Sequence, residues 1–237
     1  MKALILNSGT GKRMGFLTSE HPKCMTEISK NETILSRQLT QLANLGISEI
    51  VITTGFFDQV LIDYVNSLNL NVKYTFVNNP IYDTTNYIYS IYLAKEYLND
   101  DILLMHGDLV FEEKVLNRVF NSLTSCMTIS STLELPLKDF KAVLKNKLIE
   151  KIGIDFFDNA VSAQPLYKLL NKDWIVWLTE INNYCENDNV SCYAENAFND
   201  VSHKCKLYPY DVKDDLCLEI DTPEDLELIK KRLTKLI

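Results

Sequence analysis

Residues 4–25 read LILNSGTGKRMGFLTSEHPKCM, and this stretch decides the fold. A short apolar strand runs at once into a loop that holds Gly9, Gly11 and Gly15, two adjacent basic residues and, further on, a Pro-Lys pair. The 237-residue chain has only 7 glycines, so three in one loop are a concentrated signal. Because glycine has no Cβ, such a loop lets backbone N–H groups approach an anion. The stretch therefore predicts a phosphate-binding turn at the carboxyl end of the first strand.

The rest of the first half alternates strand and helix patterns. Apolar runs such as SEIVITTG and DDILLMHGD predict buried strands, and TILSRQLTQLANLG and TTNYIYSIYLAKEYL predict helices, the latter with a threonine cap. This rhythm predicts an α/β fold, a Rossmann-like three-layer sandwich with a mainly parallel central sheet. After about residue 125 the rhythm breaks, which predicts a smaller, less regular C-terminal lobe within one domain, 1–237.

Composition excludes several classes of function. Apolar residues make up 46% of the chain and charged residues 24%, and the formal net charge of −8 argues against a nucleic-acid partner. The six cysteines have no metal-ligand spacing, so we expect reduced thiols in a cytoplasmic protein. No apolar run approaches the roughly 20 residues that span a bilayer, so no membrane partner is expected.

The glycine loop fails the patterns of two common phosphate loops. A P-loop needs Ser or Thr after Gly-Lys, but Arg13 follows Lys12 here. In a dinucleotide-binding GxGxxG turn, the charged side chains of Lys12 and Arg13 would crowd the place where the pyrophosphate binds. The guanidinium fork of Arg13 nevertheless suits phosphate oxygens, so the loop still predicts an anion site.

The whole window resembles the signature GxGxRxxxxTxxxPKxL of the sugar-1-phosphate nucleotidyltransferases, with Thr18 and Pro22-Lys23 at the required spacing. The resemblance implies that the loop wraps a nucleoside triphosphate, that Arg13 grips the triphosphate, and that Lys23 contacts phosphates of the nucleotide or the acceptor. It divides the chain into a nucleotide-binding half, 1–125, and an acceptor-binding half, 126–237. The implied nucleotide-binding residues are Asn7, Ser8, Gly9, Thr10, Gly11, Lys12 and Asn86. Asn7-Ser8 departs from the two small residues usual in the family.

Two aspartates are candidate ligands for Mg²⁺, which prefers carboxylate oxygen. Asp108 follows the strand LLMHG, so it lies at the same sheet edge as the loop. Asp221 stands in an Ile-Asp-Thr setting before a helix that begins with proline, where Asp or Thr could equally serve as a cap. The resemblance implies that this pair binds the metal. The three dispersed histidines are expected to be structural.

The segment NNPIYDTTNYIYSIYLAKEYL resembles the phosphocholine cytidylyltransferases of bacterial surface-polymer pathways, which favours CTP. Asn86 in this segment reads equally well as a contact to base or acceptor and as a polar residue at a helix start. For the acceptor, Tyr193 is predicted as an aromatic contact, Glu195 as the counter-charge of an amine, and Lys141 as the phosphate contact. The candidate acceptors are phosphoglutamine, which we favour, phosphocholine and 2-aminoethylphosphonate, for surface polysaccharide or capsule modification.

Two other functions stay open at this point. One is a hexose-1-phosphate uridylyl- or thymidylyltransferase, although the glycine-rich element usual in those enzymes is missing. The other is an inactive nucleotide-sensing subunit, although Arg13, Lys23 and both aspartates are retained. The partners predicted are CTP and a small phosphorylated acceptor. The oligomeric state is left open, a homodimer being one option.

Overall fold

A computed structural model describes residues 1–235 of the chain, and a nine-stranded sheet forms its centre. The strands are β1 (Lys2–Leu6), β2 (Glu27–Ser29), β3 (Glu32–Thr33), β4 (Glu49–Thr54), β5 (Lys73–Asn78), β6 (Ile102–His106), β7 (Leu109–Phe111), β8 (Cys126–Ser130), β9 (Lys141–Lys145), β10 (Leu148–Gly153), β11 (Ala160–Leu169), β12 (Tyr208–Asp211) and β13 (Cys217–Glu219). The helices are α1 (Ile34–Asn44), α2 (Asp58–Ser67), α3 (Tyr87–Ala94), α4 (Glu113–Phe120), α5 (Asn171–Glu186), α6 (Ala194–Val201) and α7 (Pro223–Thr234).

The strand order of the main sheet is β10-β9-β11-β6-β1-β4-β5, and β8 and β12 extend it beside β11. Strands β6, β1, β4 and β5 are parallel, whereas β11 runs antiparallel to β6, β8 and β9. The four neighbouring parallel strands belong to the first half of the chain, whereas the second half supplies antiparallel strands and one further parallel pair, β12 with β8. The predicted fold class is confirmed, and the change in rhythm after residue 125 corresponds to this change in strand direction.

Helices cover both faces of the sheet because side chains of a strand alternate between its faces. In β1, Leu4 and Leu6 pack into the core beneath α3, α5 and α6, while Ala3 and Ile5 pack into the core beneath α1, α2 and α4. The result is the three-layer sandwich expected of continuous apolar strands.

A third, smaller core joins the glycine loop to the C-terminal helix. Met14 is buried there against Ile220, Leu226 and Ile229 of the region around α7. Strands β13 and β7 form a separate antiparallel ribbon whose register pairs Glu219 with Leu109. The packing of Met14 on the residues around α7, together with the β7–β13 ribbon, brings the glycine loop and the C-terminal segment close to each other.

Three features differ from, or add to, the sequence predictions. The cap of α3 is Asn86 and not a threonine, because the Asn86 side chain accepts a hydrogen bond from the Tyr87 N–H while the Thr85 hydroxyl donates to the Ile81 carbonyl. The β7–β13 ribbon, with three residues in each strand, is too short to leave a clear periodic signal. Within residues 1–235, every helix falls short of the length and apolar character that crossing a membrane requires.

Candidate active site

The glycine loop is held in shape by its own short-range contacts. Gly11 adopts a left-handed backbone with φ of 63°, and the Met14 N–H donates to its carbonyl at 2.9 Å. The Thr18 hydroxyl donates to the Gly11 carbonyl at 3.1 Å and to the Gly15 carbonyl at 3.3 Å. The threonine of the motif therefore closes the loop. Arg13 lies at its rim, with 60% of its side chain exposed.

The start of the loop packs tightly against two neighbouring strand ends. The Asn7 N–H donates to the Thr53 hydroxyl at 3.1 Å. A Cβ added at Gly107 would lie 1.6 Å from the Asn7 side-chain oxygen, so only glycine fits there. Within residues 1–235, Asn7 Nδ2 and Ser8 Oγ are buried and lack hydrogen-bond partners. Such atoms are available to a ligand in the cleft above them.

Asp108 and Asp221 come from distant parts of the chain and face each other across one lysine. Asp108 lies in the two-residue turn between β6 and β7, and the Ile220 N–H donates to its carbonyl at 3.0 Å, so β13 places Asp221 beside it. Lys23 Nζ contacts Asp108 Oδ2 and lies 2.8 Å from Asp221 Oδ1. Arg13 reaches the same Asp221 oxygen at 2.8 Å. The structure thus brings together the four charged residues that the sequence analysis singled out.

The positive charge of Lys23 compensates the negative charges of Asp108 and Asp221. Burial alone would lower the pKa of Lys23, but the charges of Asp108 and Asp221 raise it, so the ammonium stays protonated. Burial would raise the pKa of Asp108, and Lys23 holds it below its usual range. Asp108 is therefore ionised at neutral pH, and the Lys23 ammonium lies between it and Asp221.

The donor set fits a hard divalent cation. Asp108 Oδ1 is buried without a hydrogen-bond partner in the described chain, and Asp108, His106 and Glu219 offer ligand atoms within 4.8 Å of one another. Carboxylate oxygen is what Mg²⁺ prefers, and the position between Asp108 and Asp221 already accommodates positive charge. The acidic group can thus hold a divalent metal ion.

His106 and Glu219 are site residues that the sequence analysis did not find. His106 Nδ1 lies 2.9 Å from Glu219 Oε1. Burial would lower the pKa of His106, but Glu219 raises it; burial and the charge of Asp108 raise the pKa of Glu219. A signal did exist, because each stands two positions before a predicted metal aspartate, and residues i and i+2 of an extended chain share a face.

Three clefts meet at Asp108. The loop cleft, of about 330 Å³, lies over Gly9–Arg13 and reaches Lys23 and Asp221. The asparagine cleft, of about 170 Å³, contains Ser8, Asn79, Tyr82 and Asn86. The aromatic cleft, of about 180 Å³, is lined by Tyr87, His106, Phe140 and Tyr193 and also by Arg13, Asn86, Lys138, Asp139, Glu219 and Asp221.

The aromatic wall is built from rings in mutual contact. The ring centroids of Tyr87 and His106 lie 4.9 Å apart, those of Phe140 and Tyr193 5.0 Å, and those of Tyr87 and Tyr193 5.8 Å. Aromatic faces attract organic cations, and acidic side chains in the same cleft add to that attraction. The cleft can therefore hold an ammonium group close to Asp108.

Glu195 and Lys141, predicted as acceptor contacts, lie outside this lining. Glu195 is buried behind the wall, where it accepts hydrogen bonds from the hydroxyls of Tyr87 and Tyr167. Lys141 is fully buried, and its ammonium donates to the Pro136 carbonyl at 2.5 Å and the Asp139 carbonyl at 3.1 Å. The lysine that does line the aromatic cleft is Lys138, in the loop just before β9.

Two glycines allow a ligand role to be separated from a packing role. A Cβ at Gly9 would meet nothing within 4 Å, whereas at Gly55 it would lie 2.5 Å from the Ser8 carbonyl oxygen. We expect Gly9→Ala to keep the wild-type melting temperature but to bind a nucleoside triphosphate about tenfold more weakly, since the methyl group stands between amide and phosphate. We expect Gly55→Ala to lower the melting temperature, because backbone must move. Thermal denaturation measures the melting temperatures of both variants, and calorimetric titration measures their binding of the nucleoside triphosphate. If Gly9→Ala binds as tightly as the wild type, the phosphate does not approach the backbone closely at Gly9.

Comparison with known proteins supplies relatives for this site. A CMP-5′-(3-aminopropyl)phosphonate synthase of Streptomyces rubellomurinus is 34% identical over 119 residues, which cover 50% of this chain and 19% of the relative. A CTP:phosphoglutamine cytidylyltransferase of Campylobacter jejuni subsp. jejuni is 30% identical over 128 residues, which cover 52% of this chain and 49% of the relative. The chain thus matches half or less of the length of these two proteins.

A third relative matches along its whole length. The choline-phosphate cytidylyltransferase of Streptococcus pneumoniae is 25% identical over 98% of both chains. The solved structure of CTP:phosphocholine cytidylyltransferase from S. pneumoniae has a TM-score of 0.78 at 20% identity, again covering 98% of each chain. These relatives confirm the predicted resemblance to nucleotidyltransferases of the cytidylyltransferase branch.

The sequence model of one protein family, the MobA-like NTP transferase domain, matches residues 3–134, more than half of the chain. That range contains the glycine loop, Lys23 and Asp108 but ends before the strands that supply Glu219 and Asp221. Because this match covers more than half of the chain and includes both the glycine loop and Asp108, the chain belongs to the MobA-like NTP transferase domain family.

Proposed function

We propose that this protein transfers CMP from CTP to a small phosphorylated or phosphonate acceptor that bears an amine, with release of pyrophosphate. The observation that carries the proposal is the meeting of three clefts at Asp108, one over the glycine loop, one lined by asparagines and one lined by aromatic rings. A triphosphate, a base and a cationic acceptor need three such surfaces around one reacting phosphorus. The names of the three relatives support CTP and amine-bearing acceptors.

In this proposal the loop holds the triphosphate. Residues 9–12 line the loop cleft, where their backbone N–H groups would donate to phosphate oxygens, and Arg13 offers its guanidinium fork at the rim. Mg²⁺, which Asp108 and Asp221 would hold, supplies neutralisation of charge on the triphosphate when bound. Lys23 supplies a second positive charge in the same place.

The acceptor is itself the nucleophile. A phosphomonoester is largely a dianion near neutral pH, its second pKa being about 6. Its oxygen attacks the α-phosphorus, the bond from that phosphorus to the oxygen of the β-phosphate breaks, and pyrophosphate leaves with the electron pair. The chain has only to align two anions and screen their repulsion. Lys138 and Arg13, at the rim of the aromatic cleft, are placed to hold the acceptor phosphate.

The amine of the acceptor would face the aromatic wall. Phosphoglutamine, phosphocholine and 2-aminoethylphosphonate all combine a phosphorus oxyanion with a nitrogen group at short distance. Tyr193 is one of the rings of this wall, and the acidic side chains of Asp139 and Glu219 line the same cleft. A CMP-activated amine of this kind would serve in surface polysaccharide or capsule modification.

Pyrophosphate release tests the proposal directly. CTP, UTP, dTTP, ATP and GTP would each be paired with phosphoglutamine, phosphocholine, 2-aminoethylphosphonate and glucose-1-phosphate in the presence of Mg²⁺. We expect release with CTP and an amine-bearing acceptor. Release with glucose-1-phosphate and UTP or dTTP would instead make the protein a hexose-1-phosphate nucleotidyltransferase. Tight CTP binding without release from any pair would favour a nucleotide sensor.

The aromatic wall gives a more specific prediction. We expect Tyr193→Ala to raise KM for the amine-bearing acceptor about tenfold and to leave KM for CTP unchanged, because the lost ring contacts only the cationic end. Tyr97→Ala, which removes an exposed tyrosine ring outside the three clefts, is the matched control. Equal changes in KM for both substrates would contradict this assignment of the aromatic cleft.

A further inference from the structure

A fourth cavity lies behind the acidic side of the aromatic cleft and is not one of the three clefts that meet at Asp108. This back cavity, of about 380 Å³, is enclosed by the loop before β9, by β11 and β13, and by the first two turns of α7. It shares Asp139, Glu219 and Asp221 with the aromatic cleft, and those side chains form the partition between the two. It is larger than any of the three clefts at Asp108, so it can take a ligand of several atoms.

All the ionisable side chains that line the back cavity are acidic, and within residues 1–235 three of them, Glu134, Asp139 and Asp225, make no ion pair. Asp221 binds Arg13 and Lys23, Glu219 binds His106, and Asp225 accepts hydrogen bonds at the start of α7. Within residues 1–235, the carboxylates of Glu134 and Asp139 make neither an ion pair nor a hydrogen bond. Burial and the charges of Asp221 and Asp225 raise the pKa of Asp139, and they outweigh the charges of Arg13 and Lys141, which lower it. The cavity thus has an excess of negative charge.

A buried amide provides an independent sign of a ligand. Gln164 in β11 lines the back cavity and is only 4% exposed. Its Nε2 donates to the Ser162 hydroxyl at 2.9 Å, while its Oε1 has no partner in the described chain. A buried acceptor without a donor is costly in a folded protein and needs an explanation, of which an absent ligand is one. An N–H donor in the cavity would satisfy it.

The remaining lining is hydrocarbon. Leu218, Leu228 and Ile229 cover the side formed by β13 and α7, and Leu133 and Pro136 cover the side formed by the loop. A bare metal ion would leave this apolar surface unused. A ligand with a cationic nitrogen and a short carbon chain would use both parts of the lining.

We propose that the back cavity binds an alkylammonium group. Its nitrogen donates to Gln164 Oε1 and lies among the carboxylates of Glu134 and Asp139, and its carbon chain packs on Leu218 and Ile229. The group can come from two sources: the amine end of an acceptor whose carbon chain is long enough to pass the aromatic wall and Asp139, which rests on the proposed function, or a separate free amine, which does not.

Calorimetric titration of the full chain with 1,3-diaminopropane, without nucleotide, tests the cavity itself. We expect saturable binding that is about tenfold weaker in Gln164→Leu and in Glu134→Gln, and unchanged in Glu224→Gln, which alters an exposed acid of α7 outside the cavity. Propan-1-ol, of similar shape without charge, should bind at least tenfold more weakly. Glu134 is exposed, so Glu134→Gln keeps the test valid where Gln164→Leu affects folding. Absence of saturable binding, or binding that neither variant weakens, would overturn the proposal.

Kinetics then separates the two sources. If the acceptor supplies the amine, Glu134→Gln raises KM for 3-aminopropylphosphonate about tenfold and leaves KM for propylphosphonate unchanged. If a free amine is the ligand, diamine binding weakens in the variant while KM for both phosphonates stays the same. Failure to turn over any acceptor would contradict the proposed function, yet the calorimetric result would still decide whether the cavity binds an amine.

Discussion

Pyrophosphate release by an Asp108→Asn variant is expected to fall by about a thousandfold, with the fold unchanged. The side chain is nearly isosteric, and Lys23 keeps its ion pair with Asp221 at 2.8 Å, so the cluster does not lose its internal cation. What the variant loses is one of the two carboxylates that would hold the metal, together with half of the negative charge that orients Lys23. Single-turnover assays with CTP and the best acceptor measure the loss, and thermal denaturation verifies the fold.

The matched control for this variant is Asp214→Asn, which makes the same chemical change at an exposed position before β13. It should release pyrophosphate at the wild-type rate. If Asp108→Asn stays within tenfold of wild type, the reacting phosphorus does not lie at the junction of the three clefts, and the site has to be sought elsewhere.

The largest effect on stability is expected from Glu195→Ala, which should lower the free energy of unfolding by about 2–4 kcal/mol. Glu195 is 1% exposed and accepts hydrogen bonds from two tyrosine hydroxyls, one of them, from Tyr167, at 2.7 Å. Burial and the charge of Glu195 raise the pKa of both tyrosines, which keeps the hydroxyls protonated as donors. Alanine would leave two buried donors unpaired and a void between α3, α6 and β11. For a chain of this length the melting temperature should fall by about 5–15 °C.

An equivalent pair at the surface provides the control. Tyr184 donates to Asp200 at 2.6 Å, and Asp200 is exposed, so Asp200→Ala breaks the same kind of hydrogen bond where water can replace it. We expect that change to cost less than about 1 kcal/mol. Glu195→Gln, which keeps one oxygen acceptor, should fall between the two. Similar losses for Glu195→Ala and Asp200→Ala would contradict the structural role given to Glu195.

The part of the site that sequence reasoning could reach is the part that strand ends define. Gly9, Gly11 and Asp108 follow apolar strands, and the carboxyl ends of parallel strands meet at one edge of a sheet. Asp221 was reached only through the family resemblance, because its strand β13 has three residues and pairs outside the main sheet. Local pattern alone carries no information on such long-range pairing.

The acceptor side was less predictable, because the burial of a side chain depends on which other segments of the chain pack over it. In the lysine-rich hairpin of β9 and β10, Lys145 points to solvent and pairs with Glu150, whereas Lys141 turns inward and binds backbone carbonyls. Both lysines belong to the same run of charged residues, so the sequence pattern does not distinguish the buried lysine from the exposed one. For Glu195 a signal was present: Ala194, Ala197, Phe198 and Val201 mark the buried face of α6, and Glu195 lies on that face.

The β7–β13 ribbon also has a consequence for how the gene can change in length. The distance between the two aspartates is set by ladder register, since Glu219 pairs with Leu109 and Ile220 binds the Asp108 carbonyl. An insertion or deletion of one residue within 108–111 or 217–221 would turn the flanking side chains to the opposite face and separate the acids. The hydrogen-bond ladder of the main sheet does not include the ribbon, but Leu109, Phe111 and Cys217 pack in the same core as Ala3 and Ile5 of β1. Length variants in these two short segments should therefore be inactive and also less stable than the wild type.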